Sequence, residues 1–230
     1  MRYDAIIAGA SFAGLAAASQ IKGEALLIDR KEIGTGQTSA CGTFESVISE
    51  WGARSAVLRS FNRLSIHCPD EIRVPLIEPL HTIDYEKFCR ILARKTNIEF
   101  LKATVSGVKG DKVITSAGEF SSHCIVDCTG WRAVLASSID KSYVDRKKLT
   151  FCIETLADYS DEVMRFFADD RIISNGAAWI FPIGKKSRIG VGSYAGDTKI
   201  VPVLEKFLES MNLRMGELHG NFIPFGLREP

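Results

Sequence analysis

Tyr3-Asp4-Ala5-Ile6-Ile7-Ala8-Gly9-Ala10-Ser11-Phe12-Ala13-Gly14-Leu15 opens the chain, and Asp29 closes the next apolar run. Ile6 to Ala8 read as a buried parallel strand, since no polar residue interrupts them. Gly9 then permits a tight turn, Gly14 lets the following helix pack closely, and the helix amino end faces a pyrophosphate. Asp29 stands twenty positions after Gly9, where a carboxylate ending a second strand accepts from ribose hydroxyls. Strand, glycine turn, Ala-rich helix and acid-ended strand in that order outline a dinucleotide site built on Gly9, Ser11, Phe12, Ala13, Gly14 and Asp29.

One position departs from the G-x-G-x-x-G pattern: Ser11 stands where the backbone must approach the phosphates. A serine side chain is small, and its hydroxyl donates to phosphate. The run Ala5 to Ala18 is nearly all apolar, yet Arg2 and Asp4 make no basic leader and Gly9 and Gly14 interrupt it, so a signal peptide is not expected.

The 29 Lys plus Arg against 28 Asp plus Glu leave no basic field for nucleic acid or an acidic membrane surface. No apolar run reaches the ~18–20 residues that span a bilayer by a helix; a peripheral attachment would not show in such a run. Six cysteines without a C-x-x-C pair point to a reducing cytoplasm, with most thiols acting as small apolar residues. His123 beside Cys124 and Cys128 tempts a metal reading, but four spaced ligands are absent and no metal is expected.

The class is α/β: a Rossmann-like parallel sheet with a β meander, plus a second, antiparallel α+β substrate domain. After the first β-α-β unit (strand to Ala8, helix Ser11 to Lys22, strand Ala25 to Asp29), residues Ile33 to Thr43 read as a functional loop. A short helix follows near Glu45 to Trp51, then extended segments around Arg63 to Cys68 and Ile72 to Leu76, punctuated by Pro69, Pro75 and Pro79. Asp84 caps a helix Tyr85 to Lys95. From Ile98 to Thr129 short strands alternate with turns at Ser106-Gly107, Gly110-Asp111 and Ala117-Gly118. Beyond Trp131 come strands Leu149 to Glu154, Ala177 to Pro182 and Ser187 to Tyr194, a helix Val163 to Phe167, and a last helix Ile200 to Met211 with Thr198 as cap and Pro202 in its first turn. The expected domains are 1–135 and 136–230, with an inserted segment near 55–82 joining the second sheet.

These residues resemble flavoproteins of the hydroxybenzoate hydroxylase fold, and more narrowly the geranylgeranyl reductase family. Gly9 to Gly14 with Asp29-Arg30 resemble the pyrophosphate and adenosine-ribose site for FAD. Glu32-Ile33-Gly34 through Cys41-Gly42 resemble the family's Cys-Gly loop near the flavin ring. Asp127-Cys128-Thr129-Gly130 resemble the Ala-Thr-Gly or Ala-Asp-Gly stretch after the meander. Ala178-Trp179-Ile180-Phe181-Pro182, followed by Ile189-Gly190-Val191-Gly192, resemble the motif whose Trp and Phe-Pro line the substrate cavity.

The resemblance implies FAD bound by Gly9, Ser11, Phe12, Ala13, Gly14, Asp29, Arg30, Cys41, Gly42, Cys128, Thr129 and Gly130. It also implies an apolar, isoprenoid-type substrate against Trp179, Phe181 and Pro182, and NAD(P)H or a redox protein as electron donor. Cys41 is the candidate proton donor or positioning thiol for adding hydride and proton across a carbon–carbon double bond. There are departures. Ala177 replaces the family's Tyr, Ser174 a usual Pro, and Thr129 the acid of Ala-Asp-Gly. Relatives continue past a segment like Leu227-Arg228-Glu229-Pro230 into a Gly-Asp motif, so the expectation is a fragment of a chain of ~330 residues or more.

Two rivals stand beside this. One is a flavin monooxygenase or halogenase, because fold does not fix reaction; the other is a non-catalytic nucleotide-binding module. His67 and His81 have no Ser or Cys partner at a recognisable spacing, so a hydrolase triad is unsupported and they read as surface or hydrogen-bonded histidines.

Overall fold

The computed structural model describes residues 2–37, 39 and 41–226. In chain order these form β1 (Arg2–Ala8), α1 (Phe12–Gln20), β2 (Ala25–Asp29), β3 (Gly42–Phe44), α2 (Glu45–Trp51), β4 (Val57–His67), β5 (Glu71–Ile83) and α3 (Tyr85–Ala93). The middle of the chain supplies β6 (Glu99–Lys102), β7 (Val105–Lys109), β8 (Lys112–Thr115), β9 (Gly118–Asp127) and α4 (Val134–Ile139). The last third adds β10 (Leu149–Ala157), β11 (Met164–Phe167), β12 (Gly176–Pro182), β13 (Ser187–Ser193), α5 (Val201–Glu209) and β14 (Leu218–Pro224). They divide into two compact units: Met1–Gln37 with Tyr85–Asp145, and Thr38–Asp84 with Arg146–Pro230.

The first unit is a six-stranded sheet in the order β6-β2-β1-β9-β8-β7. β1 is flanked by β2 and β9, both parallel to it. Ile6 and Ile7 are both fully buried, as a strand covered on each face requires. Tyr3, Ile6, Ala8, Leu26, Ile28, Ala103, Val113 and Leu135 make one core cluster. The chain leaves β1 for β2 on one side and returns as β9 on the other, so the strand order switches at β1. Ligands of open α/β sheets gather at the carboxyl ends beside such a switch.

The second unit is an eight-stranded sheet in the order β14-β10-β13-β12-β11-β4-β5-β3. Its pairs are antiparallel except β4 with β11, which run parallel. The two faces bury different sets: Ala178 and Ile180 of β12 join Ile153, Ile189, Val191 and Leu204 on the side of α5. Phe181 joins Phe61, Leu80 and Met164, with Trp179, Phe166, Leu64 and Leu76 packed against them, on the other.

Several expectations are corrected. Val163 to Phe167 is not a helix: Met164–Phe167 is strand β11, bonded between β4 and β12. A short apolar run has too few residues to separate the two periods, and neighbouring strands decided it. Ser106-Gly107 is not a turn but lies within β7, at a register shift between Val105 and Gly107. Ile200, not Thr198, is the residue preceding α5, and its side chain makes no cap bond. The Gly-rich loop ends earlier than expected, since Gly42–Phe44 pairs with β5. α4 and β14 were not anticipated.

Candidate functional site

In the first unit the sequence-expected residues collect at the carboxyl ends of β1, β2 and β9. Gly9 has φ +103°, and a Cβ there would lie 2.1 Å from the Cys128 carbonyl oxygen. A Cβ on Gly14 would lie 1.7 Å from the Gly9 carbonyl oxygen, so only glycine lets α1 start this close to the turn. Cys128 N–H donates to the Ala8 carbonyl at 2.7 Å, which sets Cys128, Thr129 and Gly130 against the Gly9 turn.

Asp29 is held by two backbone amides: Ala10 N–H donates to Oδ2 at 2.7 Å and Lys31 N–H to Oδ1 at 2.9 Å. Each carboxylate oxygen keeps lone-pair capacity for a ribose hydroxyl. Arg30 is exposed beside it.

The first amides of α1 have no intrahelical acceptor, and Ser11 makes no side-chain cap bond to them. They are an anion-accepting end. The Tyr85 hydroxyl donates to Ser11 Oγ at 3.1 Å, and Phe12 packs against the rings of Tyr85 and Phe88. Sequence reasoning missed Tyr85, because a contact between residues 11 and 85 leaves no trace in local spacing.

Thr129 has a structural duty in place of the acid. Its hydroxyl donates to Asp127 Oδ1 at 2.6 Å and accepts from Val134 N–H at 2.7 Å. Asp127 Oδ2 accepts from Leu135 and Ala136 amides at 2.8 and 3.0 Å. Asp127 and Thr129 together cap α4, which sequence reasoning overlooked although Asp127 stood inside the quoted stretch.

In the second unit, Cys41 precedes β3 with φ +57° and is buried. Its Sγ–H donates to the Ser39 carbonyl at 3.2 Å. Burial pushes the thiol up to about 11, against smaller opposing effects of the Ser39 bond and of Arg188. It is a neutral thiol at physiological pH and holds a proton. Among the described residues, a Cβ on Gly42 would meet only the Met164 methyl at 3.7 Å and the His81 carbonyl oxygen at 4.0 Å.

Trp179 and Phe181, two apart on β12, share the face of Met164 and Phe166. A Cβ on Gly190 would lie 2.3 Å from Trp179 Cζ2, and one on Gly192 would lie 3.5 Å from Cζ3. The indole therefore rests on a floor made by two glycines. Its Nε1–H points at Glu154 Oε2 at 3.4 Å, and Glu154 Oε1 accepts from Arg188 at 2.8 Å. The Pro182 carbonyl accepts from the buried Thr82 hydroxyl at 2.7 Å, tying β12 to β5. Glu154 and Arg188 were missed; a glutamate closing the apolar run Leu149 to Glu154 was the available signal of a buried pair.

His81 is a hydrogen-bonded histidine, as expected, but its partners include a serine that sequence spacing did not show. It has a serine partner, Ser60, across the β4–β5 ladder, and a carboxylate partner, Glu45. Cross-strand neighbours are invisible to a search by sequence spacing.

No protein-family model matches the sequence, and no curated protein matches it. Solved structures do. A geranylgeranyl bacteriochlorophyll reductase-like protein from Thermoplasma acidophilum superposes with a TM-score of 0.88 at 17% identity, covering 100% of this chain and 68% of that one. The FAD-dependent chondrochloren halogenase, a myxobacterial protein, gives 0.75 at 14% identity over 95% of this chain and 63% of its own. Halogenase PltM, solved in complex with phloroglucinol and FAD, gives 0.70 at 13% identity over 96% and 60%. The chain thus spans about three-fifths to two-thirds of the length of these neighbours, and its fold is the one they share.

Proposed function

We propose that the chain binds FAD and belongs to an oxidoreductase that reduces carbon–carbon double bonds of an isoprenoid or similarly apolar substrate. The observation that carries this is the gathering of the Gly9 turn, the uncapped α1 amides, Asp29 and Cys128 to Gly130 at the carboxyl ends of three parallel strands. The Ser11 hydroxyl and the α1 amides would hold the pyrophosphate, and Asp29 the adenosine ribose. Bound FAD would supply two-electron transfer.

The remaining work falls to side chains of this protein. Trp179 and Phe166, half-buried over the core formed by Phe181 and Met164, are the apolar side chains we propose a hydrocarbon substrate would meet. Cys41 is the proposed proton source at Sγ; burial keeps its thiol neutral, so it would not attack as thiolate. NAD(P)H or a redox protein is the proposed electron donor. No helix among the described residues is long and apolar enough to cross a membrane; a cytoplasmic setting is part of the proposal.

Flavin-dependent oxygenation or halogenation of an aromatic substrate is the rival reading, favoured by the halogenases among the solved structures of this fold. The test is purification of the full gene product. Flavin absorbance, or saturable uptake of added FAD, supports the proposal; a colourless protein that takes up no FAD overturns it. Anaerobic saturation of an isoprenoid alkene by the reduced protein then favours the reductase, and oxygen- or halide-dependent turnover of an aromatic favours the rival.

A further inference from the structure

His81 lies on β5 directly across from Ser60 on β4 and is 1% exposed. Its Nδ1 is 2.8 Å from Ser60 Oγ, and its Nε2 is 2.8 Å from Glu45 Oε2 at the start of α2. The other oxygen of Glu45 accepts from Ser49 and from Arg54. Those bonds pull its carboxyl down to about 2, so it is ionised across the physiological range.

An ionised carboxylate can only accept. In the neutral tautomer that the ionised Glu45 favours, Nε2 carries the proton toward Glu45 and Nδ1 accepts from the Ser60 hydroxyl. Nucleophile, base and orienting acid stand in hydrogen-bond series, with the two ring nitrogens exchanging the roles they hold in serine proteases; such sets are defined by geometry and role. The base is sealed from solvent while Ser60 is exposed. Register shifts flank Ser60 on both sides, between Val57 and Arg59 and between Phe61 and Arg63. Bulges of this kind concentrate beside active sites, where they re-aim side chains.

We propose that Ser60, His81 and Glu45 form a second reactive site, at which Ser60 takes the acyl group of an activated ester. Ser60 Oγ forms a bond to the carbonyl carbon as its proton passes to His81 Nδ1. Glu45 stays ionised and stabilises the imidazolium. The ester C–O bond breaks, its electron pair leaves with the alcohol oxygen, and His81 returns the proton to that oxygen. Water hydrolyses the acyl-serine by the same route, releasing the carboxylic acid and restoring Ser60. No oxidant, metal or flavin is needed, so this inference does not rest on the FAD proposal.

The test uses the purified protein with p-nitrophenyl acetate and, separately, a fluorophosphonate probe. The expected result is release of p-nitrophenolate, with the acetyl or phosphonyl group found on the Ser60 peptide by mass spectrometry. Ser60→Ala, a truncation at an exposed position, should abolish labelling and lower ester turnover about 100-fold or more, and Glu45→Gln should lower both while leaving Ser60 in place. Absence of label on Ser60, label on another residue alone, or turnover unchanged in Ser60→Ala overturns the proposal.

Discussion

The Tyr85 hydroxyl donates to Ser11 Oγ at 3.1 Å, joining the start of α3 to the start of α1. The serine oxygen is thereby occupied as an acceptor, and its own proton remains for an anion at the helix end. On the FAD proposal, this is how a serine would serve where the dinucleotide pattern has glycine. Tyr85→Phe is expected to weaken FAD binding about 2- to 10-fold, the worth of one hydrogen bond of ~0.5–1.5 kcal/mol. In a Ser11→Gly background the same change should have little effect. Fluorescence titration of the four proteins checks the coupling; equal effects in both backgrounds refute it.

Gly190 gives a second prediction. A methyl group there would meet Trp179 Cζ2 and the Ile153 carbonyl oxygen, 2.3 and 2.6 Å from the Cβ position. Gly190→Ala must lift the indole off its floor. It should cost about 1–3 kcal/mol, the usual penalty for overpacking, and change Trp179 emission. Denaturant melts and fluorescence in a Trp51→Phe, Trp131→Phe background measure both.

The Glu154–Arg188 pair is buried, with side chains 7% and 16% exposed. Glu154→Ala would leave the guanidinium without its counter-charge and should destabilise by about 3–5 kcal/mol. Glu154→Gln should cost less, because its carbonyl oxygen still accepts. Urea unfolding of the two variants ranks them; a mild Glu154→Ala would show the pair to be dispensable.

Cys41 should be slow to alkylate. With its thiol near 11, only about one molecule in a thousand carries thiolate at pH 8, and burial restricts access further. Cys68 and Cys124 are exposed and should react first with iodoacetamide. Peptide mapping over time gives the order. Rapid modification of Cys41 would contradict the neutral, enclosed thiol described above.

Acid should loosen the second unit. Bonds from Ser49 and Arg54 hold Glu45, and bonds from Ser65 and Arg73 hold Glu71, each at about 2. Carboxyls depressed on folding stabilise above their ordinary value of 4.5 and lose that contribution as pH falls toward the folded value. Stability should therefore decline between about pH 4.5 and 2, and Glu45→Gln should flatten that decline. Thermal melts across the range test the sign.

What could be read from the chain alone was the part written locally. Gly9, Gly14 and Asp29 carry their meaning in spacing, and strands such as Ala25–Asp29 and Gly176–Pro182 in uninterrupted apolar runs. Met164–Phe167 was misread because four residues fit either period. Tyr85 beside Ser11, Ser60 beside His81 and Arg188 beside Glu154 were out of reach for another reason. Each pair is made by strand or helix neighbours far apart in sequence, and no local pattern records which strands adjoin.

The parallel seam between β4 and β11 also has a bearing on how the chain is made. Leu64 stands opposite Met164 and His67 opposite Phe167, so about a hundred residues must emerge before that seam can close. β4 and β5 are synthesised early as a ribbon with one long edge bare, and a bare edge invites foreign strands. During translation this edge stays unpaired until residue 167 has left the ribosome, and any need to shield it from foreign strands should end there.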